Sequence, residues 1–139
     1  MKILICCSKH FYKFVSDIKE KLEKMGHVVT LPNSFEEPFQ EERIKSLGRE
    51  QHREFKQEIF KLEKKKIKEN DAILVLNLTK NVEPNYIGGA TFLEIFKAWE
   101  MGKKIFLWNK IPDNIFKDEL LGIDIVVIYG NINHFSFRS

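Results

Sequence analysis

Residues 71–77 read DAILVLN, and this stretch decides the fold. Its apolar centre, residues 72–76, runs without interruption, so neither face of the strand that it predicts is polar. A strand that is apolar on both faces is typical of a parallel sheet covered by helices on its two sides. The stretch therefore predicts the central strand of an α/β protein.

The segments before and after this stretch alternate between strand and helix. Further strands are predicted at residues 2–6, 27–32, 103–109 and 123–130, and helices between Ser8 and Gly26, over 49–69 and over about 90–101, with a weaker helical piece before the last strand. This alternation predicts one α/β domain over residues 1–139, with a doubly wound, flavodoxin-like, three-layer fold and a mainly parallel five-stranded sheet. Residues 33–48 are polar and irregular, and we interpret this long connection as a lid.

Composition narrows the class of protein. The chain has 139 residues, of which 43% are hydrophobic and 31% charged, as in globular proteins. No apolar run approaches the roughly 18 residues that span a bilayer, so we expect no membrane partner. The two cysteines, Cys6 and Cys7, are neighbours in a predicted strand and point to opposite faces, which is a poor placement for a disulfide. Free thiols without an export signal predict a cytoplasmic protein.

Charge and histidine spacing give no sign of nucleic-acid or metal binding. The net charge of +3 is mild, and the lysines of residues 61–68 have no aromatic residue among them that could stack on bases. We interpret that cluster as a solvated helix face and expect no nucleic-acid partner. The histidines are scattered, without metal-ligand spacing, so no metal site is expected.

Three segments are expected to meet at the carboxyl edge of the sheet, where α/β proteins bind ligands. They are residues 6–10 (CCSKH), 77–81 (NLTKN) and 86–91 (YIGGAT). The first contains Ser8, Lys9 and His10, which resemble an anion seat at a helix start, although any capped helix has the same pattern. In the third, Gly88 and Gly89 allow close approach of the backbone to a ligand or a tight turn. No Walker or GxGxxG pattern is present, so no nucleotide cofactor is expected.

The acid Glu94 has two interpretations. At 100° per residue, four apolar residues of its helix cluster on one side: Phe92, Ile95, Phe96 and Trp99. Glu94 lies roughly opposite this cluster. It is either a solvated carboxylate near Lys97 or a carboxylate at the ligand edge, where a helix N-terminus favours its ionised form. The spacing alone leaves both open.

The stretch GGATFLE (88–94) and the later AWEMGKKI (98–105), after the strand at 71–77, resemble the nucleoside 2-deoxyribosyltransferase-like family. That family includes the deoxynucleoside 5′-monophosphate N-glycosidases. The matching residues agree in order and spacing: Thr91, Glu94, Gly102 and Lys103. The resemblance implies an enzyme without a cofactor that acts on a small nucleoside or nucleotide.

The resemblance also implies a mechanism. Glu94 would attack C1′ of a 2′-deoxyribonucleoside or its 5′-monophosphate and expel the base, after which a second base or water resolves the glycosyl ester. Thr91 would line the substrate site, and Ser8 would lie near the 5′ end of the substrate.

Several positions depart from the family pattern. Leu4 stands where a tyrosine orients the nucleophile, and Tyr86 or Tyr12 would have to replace it. In the helix before the strand at 71–77, Glu63 occupies the position where the family has an aspartate. Asn77 occupies a position where some members of the family have an aspartate. These departures leave the proton donor to the leaving base unassigned. They also leave two other functions open: a catalytically silent nucleotide-binding module, and a phosphoribohydrolase of the cytokinin-activating type.

The helix with Glu94 also predicts an oligomer. Its apolar residues offer more surface than one sheet contact needs: Phe92, Leu93, Phe96, Trp99 and Met101. We therefore expect a homodimer that buries part of this helix.

Overall fold

The sheet has five strands that all pair in parallel. A computed structural model describes residues 1–137, and the side chains of residues 1–134. The strands are β1 (Lys2–Cys6), β2 (Val28–Thr30), β3 (Ala72–Val75), β4 (Lys104–Leu107) and β5 (Val126–Val127). Their order across the sheet is β2-β1-β3-β4-β5. The predicted α/β fold with a parallel five-stranded sheet is confirmed, and β3, the strand within DAILVLN, lies at its centre.

Helices cover both faces of the sheet. The α-helices are α1 (Tyr12–Lys24), α2 (Gln40–Lys45), α3 (Arg49–Glu69), α4 (Gly89–Glu100) and α5 (Lys117–Leu121). Short 3₁₀ turns lie at Lys9–Phe11, before α1, and at Ile132–Phe137. None of the described helices is long and apolar enough to cross a membrane.

The strands alternate between two separate cores. Ile3 and Ile5 of β1 pack on the α1 side, whereas Leu4 and Cys6 pack on the side of α3, α4 and α5. This alternation follows from the pleat, which turns successive side chains to opposite faces. Cys6 and Cys7 consequently belong to different cores, and both thiols are free.

Two helices differ in phase from the sequence prediction. The buried side of α4 consists of Thr91, Ile95 and Ala98, whereas Phe96 and Trp99, which the helical phase groups with Ile95, are exposed. The reason is that α4 is apolar on two sides, and periodicity does not say which one faces the sheet.

In α3 the helical spacing of Phe55, Ile59 and Leu62 predicts that Leu62 lies on the inner side, and this prediction is wrong. Leu62 is exposed, and Glu63 takes the buried position beside it, with Ile67 one turn further on. The expected irregular connection over residues 33–48 is also partly ordered, because it contains α2, which packs against α3.

Candidate active site

A cleft of about 660 Å³ opens at the carboxyl ends of β1 and β3. Five parts of the chain form its walls: the turn after β1 with the start of α1, one face of α3, the segment after β3 that holds Lys80 and Tyr86, the first turns of α4, and the segment from Pro32 to α2. The side chains from the sequence prediction that line it are Ser8, Lys9, Glu63, Tyr86, Gly88, Gly89, Thr91 and Glu94. The cleft therefore brings together residues that are up to 86 positions apart, since Ser8 and Glu94 share it.

Glu94 lies on the flank of the buried side of α4, in the wall of the cleft. Lys97 is the expected partner of a solvated Glu94, but its Nζ atom instead lies 3.8 Å from Oε1 of Glu100 on the outer side of the helix. Of the two interpretations left open by the sequence, the position of Glu94 favours the carboxylate at the ligand edge.

The thiol of Cys6 is within hydrogen-bonding reach of the Glu94 carboxylate. Burial, and then the charge of Glu94, raise the pKa of Cys6 well above its ordinary value, so the thiol remains a donor. Cys6 of β1 thus donates to Glu94. The family resemblance had placed the residue that orients the nucleophile two positions earlier, where this chain has Leu4. This contact was missed because an apolar strand hides which of its residues faces α4.

Glu63 and Glu94 form a coupled pair of carboxylates. Burial raises the pKa of Glu94, and the charge of Glu63 raises it further. Burial also raises the pKa of Glu63, while the charge of Lys56 and a hydrogen bond from the Asn33 side chain partly offset this effect. The pKa of Glu63 rises to about 7 and that of Glu94 to about 8, so near neutral pH at least one carboxyl of the pair keeps its proton.

Two lysines of α3, Lys66 and Lys56, lower the pKa of both carboxylates by their charge, and Lys56 also lies on the cleft wall. Its Nζ atom lies 3.4 Å from Oε1 of Glu41, and Oε2 of Glu41 lies 2.8 Å from Nε2 of His52. Glu41 belongs to α2, so this contact ties the connection after β2 to α3. The sequence analysis missed Lys56, although it lies seven residues before Glu63 and therefore on the same helix face.

The other end of the cleft is basic. Lys9 forms an ion pair with Glu42 of α2, and Lys80 lies with its Nζ atom 3.4 Å from the hydroxyl oxygen of Tyr86 and 4.5 Å from its ring centroid. A Cβ at Gly88 would lie 2.8 Å from the same Tyr86 oxygen, so a side chain at position 88 would displace the tyrosine. Glycine at 88 therefore permits the approach of Tyr86 to the start of α4.

Two predicted site residues lie outside the cleft lining. Asn77 is fully buried, and its amide group donates to the carbonyl oxygens of Asn109 (3.0 Å) and Lys110 (2.9 Å) and accepts from the Asn109 amide (2.8 Å). These bonds fix the turn after β4. His10 is exposed. Its pKa is lowered, first by a slight loss of hydration of the ring and then by the charges of Lys80 and Lys9.

Metal ligands do not gather anywhere in residues 1–137: no group of three or more His, Cys, Asp or Glu side chains there is arranged to hold an ion. The ionisable side chains that line the cleft include the carboxylates of Glu63 and Glu94 and the amines of Lys9 and Lys56.

The sheet order defines the class as a flavodoxin-like α/β protein, and the cleft lies at the ends of β1 and β3, the edge where proteins of this class bind ligands. No protein-family model matches the chain, and no curated protein matches it in sequence.

The solved structures that share this fold include two enzymes. The CMP N-glycosidase BcmB of Clostridium botulinum is similar with a TM-score of 0.56 and 17% identity, over 99% of this chain and 97% of that one. A 2-deoxyribosyltransferase of Bacillus psychrosaccharolyticus is similar with a TM-score of 0.62 and 20% identity, over 100% of this chain and 93% of that one. The resemblance to the nucleoside 2-deoxyribosyltransferase-like family is thus confirmed at the level of the fold.

Proposed function

We propose that the protein is an enzyme that cleaves or transfers the N-glycosidic bond of a nucleoside or nucleotide, with Glu94 as the nucleophile. The observation that carries the proposal is that Glu94 and Glu63, from two different helices, both line the wall of one cleft. The two structures that share the fold, an N-glycosidase and a deoxyribosyltransferase, support a reaction at a sugar–base bond. The preferred substrates of the proposal are 2′-deoxynucleosides and their 5′-monophosphates.

In the first step, the ionised Glu94 attacks C1′ and the bond from C1′ to the base breaks. The electron pair of that bond goes to the base, which takes a proton from Glu63. The product is a glycosyl ester on Glu94 and a free base. Glu94 has the higher pKa of the pair, so the reaction starts from the less populated form in which Glu94 is ionised and the proton lies on Glu63. In that form Glu63 is the proton donor that the sequence left unassigned.

In the second step, water or another base attacks C1′ of the ester. Glu63, now ionised, takes the proton of the attacking group, and the ester bond breaks to restore the Glu94 carboxylate. The pair carries one negative charge before the reaction and again on Glu63 in the ester. Lys56 offsets this single charge in both states, and Cys6 donates toward Glu94 when it is ionised.

The sugar end of the substrate is assigned to the basic end of the cleft. Ser8 and Lys9 follow β1, and Gly88 and Gly89 begin α4, with no side-chain cap on its first amides. These free amides and the lysine suit a hydroxyl or phosphate at the 5′ position. Thr91, buried in the first turn of α4, supports the backbone that faces the sugar.

The test is the release of free base from a panel of deoxynucleosides, ribonucleosides and their 5′-monophosphates, followed by chromatography. We expect release from at least one substrate and a loss of at least about 10³-fold in Glu94→Gln. Glu100→Gln, which changes an exposed carboxylate of the same helix, is the matched control and should keep the activity. Tight nucleotide binding without release from any substrate would contradict the proposal and favour the silent binding module.

A homodimer through the outer faces of α3 and α4 is the second part of the proposal. Phe60, Leu93, Phe96 and Trp99 each expose between 41% and 48% of their surface, and an apolar groove of about 450 Å³ lies between the two helices. The rim carries both signs of charge, from Lys61, Lys64 and Lys97 against Glu100, so two copies related by a two-fold axis can pair them.

Light scattering at micromolar concentration tests the dimer. We expect the mass of two chains for the unmutated protein and of one chain for Phe96→Glu. Val82→Glu is the control, because Val82 is 95% exposed outside this groove. A single-chain mass for the unmutated protein would contradict a dimer.

Free Cys6 and Cys7 agree with a cytoplasmic location, which is also part of the proposal.

A further inference from the structure

A buried acceptor without a partner lies in the wall of the cleft. The Asn33 side chain is on the cleft lining, and its Oδ1 atom is buried and has no hydrogen-bond partner among the described residues. An unpaired buried carbonyl oxygen costs about 1–3 kcal/mol in general, so its presence in a ligand cleft points to a ligand that donates to it.

The orientation of the Asn33 amide follows from its neighbour. The side chain hydrogen-bonds to Glu63 and favours the ionised form of that carboxyl, which means that the NH₂ group faces Glu63. The Oδ1 atom is then the group left for a ligand. Glu63 and Asn33 together offer a carboxyl proton and a carbonyl oxygen side by side.

The turn that carries Asn33 is held in place from several sides. The Phe35 amide donates to the Pro32 carbonyl at 3.2 Å, which closes the turn, and the Phe35 ring packs against Tyr12 at 5.6 Å between centroids. Lys66 donates to the carbonyl of Leu31 at 3.2 Å, just before the turn. Asn33 is therefore positioned before a ligand arrives.

The wall beside Asn33 and Glu63 suits a flat ring. Phe55, Ile59 and Glu63 follow one another at intervals of four residues on α3, so they form one stripe, and all three line the cleft. The apolar part of this stripe can cover the face of a base, while its end presents the polar pair.

We propose that Asn33 and Glu63 select a base that carries an exocyclic amino group beside an unprotonated ring nitrogen, as in adenine and cytosine. Glu63 donates its proton to the ring nitrogen, and Oδ1 of Asn33 accepts from the amino group. Adenine offers this pair at N7 and N6, and cytosine at N3 and N4. Hypoxanthine and uracil place a carbonyl oxygen opposite Asn33, and uracil also places a ring N–H opposite the proton of Glu63.

This inference rests on the proposed function for the role of the cleft, but its test does not require turnover. Binding of free adenine, hypoxanthine, cytosine and uracil is measured by titration calorimetry on the unmutated protein, because a free base has no glycosidic bond to cleave and the pair of Glu63 and Glu94 stays intact. We expect adenine to bind about 10–100-fold more tightly than hypoxanthine, and cytosine than uracil, as one mismatched polar contact commonly costs.

Variants at position 33 assign the preference to its acceptor. Asn33→Ala is expected to reduce each ratio to less than about 3-fold, whereas Asn33→Asp, which keeps an acceptor, retains a preference for the amino bases. Glu36→Gln, a change at an exposed residue of the same connection outside the cleft lining, is the matched control and keeps both ratios. Asn33→Ser replaces the alanine variant if circular dichroism shows that the latter is unfolded.

The outcomes separate this inference from the proposed function. Equal binding of the amino and oxo bases, no binding of any base at millimolar concentration, or a preference that survives in Asn33→Ala would overturn it. A preference that disappears in Asn33→Ala supports it, even where the unmutated protein releases no base from any nucleoside, in which case the proposed reaction fails and the base site stands.

Discussion

The replacement Glu94→Gln should stabilise the protein at high pH and have no such effect at low pH. Burial and the charge of Glu63 raise the pKa of Glu94, whereas an unfolded chain has a glutamate pKa of about 4.3. At pH 4 the carboxyl is largely protonated in both states and contributes little. As the pH rises, the unfolded chain releases the proton first, so the equilibrium shifts toward unfolding until the pH passes the raised pKa of the folded state.

The size of this effect follows from the pKa change. The pKa of Glu94 rises from 4.5 to about 8, and a rise of that size corresponds to roughly 4–5 kcal/mol of lost stability once the folded group is fully ionised. Glutamine has the same shape, carries no charge and can still accept from the Cys6 thiol. We therefore expect Glu94→Gln to gain about 2–4 kcal/mol over the unmutated protein at pH 8, because Glu63 keeps the cost of its own burial.

The assay is urea unfolding at pH 4, 6 and 8, with the free energy of unfolding extrapolated to water. The difference between Glu94→Gln and the unmutated protein should grow steadily with pH. Glu100→Gln should stay within about 0.5 kcal/mol at every pH, as expected for a surface change. A difference for Glu94→Gln that is the same at pH 4 and pH 8 would refute the buried, coupled carboxylate.

Three further changes probe the surroundings of the pair. Lys56→Met removes a positive charge that lowers the pKa of both carboxyl groups. The acidic limb of the plot of base-release rate against pH should therefore shift by about one unit to higher pH, while Lys45→Met leaves it in place. Asn77→Ala should cost about 2–4 kcal/mol in urea unfolding, because it leaves buried backbone groups of the turn after β4 unpaired; a loss below about 0.5 kcal/mol would contradict that role. Gly88→Ala should raise KM at least several-fold, and combination with Tyr86→Phe should recover part of the loss, because the added methyl meets the tyrosine hydroxyl; equal KM values in all variants would show that Tyr86 is free to move.

The sequence predicted the architecture because the apolar centre of residues 71–77 can be buried only on both faces. Alternating strands and helices around it restrict the topology, since parallel strands need crossover helices. The short β5, Val126–Val127, was found within a longer predicted stretch because its apolar run continues into loop residues that also pack on the core.

The candidate site was predicted in part. Ser8, Gly88 and Glu94 could be placed at the ligand edge, because each follows or begins an element at the carboxyl ends of parallel strands. The environment of Glu94 could not be predicted from the phase of α4, since its exposed Phe96 and Trp99 form a second apolar side. Only the packed structure shows which side turns toward the sheet.

Contacts between distant segments were beyond the sequence. Cys6 reaches Glu94, and Asn33 reaches Glu63, through the folding of β1 and of the turn after β2 against α4 and α3. Asn77 shows the opposite case, because its position at the end of β3 suggested chemistry, but its amide is occupied by the backbone of the next loop.

The most direct test of Glu94 as nucleophile is to find the sugar attached to it. The protein is mixed with a substrate whose base it releases, quenched in acid, digested and analysed by mass spectrometry. We predict an added deoxyribosyl group, with its 5′-phosphate where the substrate has one, on the peptide that contains Glu94, and no such adduct in Glu94→Gln. A sugar adduct on another peptide, or base release by Glu94→Gln at the rate of the unmutated protein, would contradict the account.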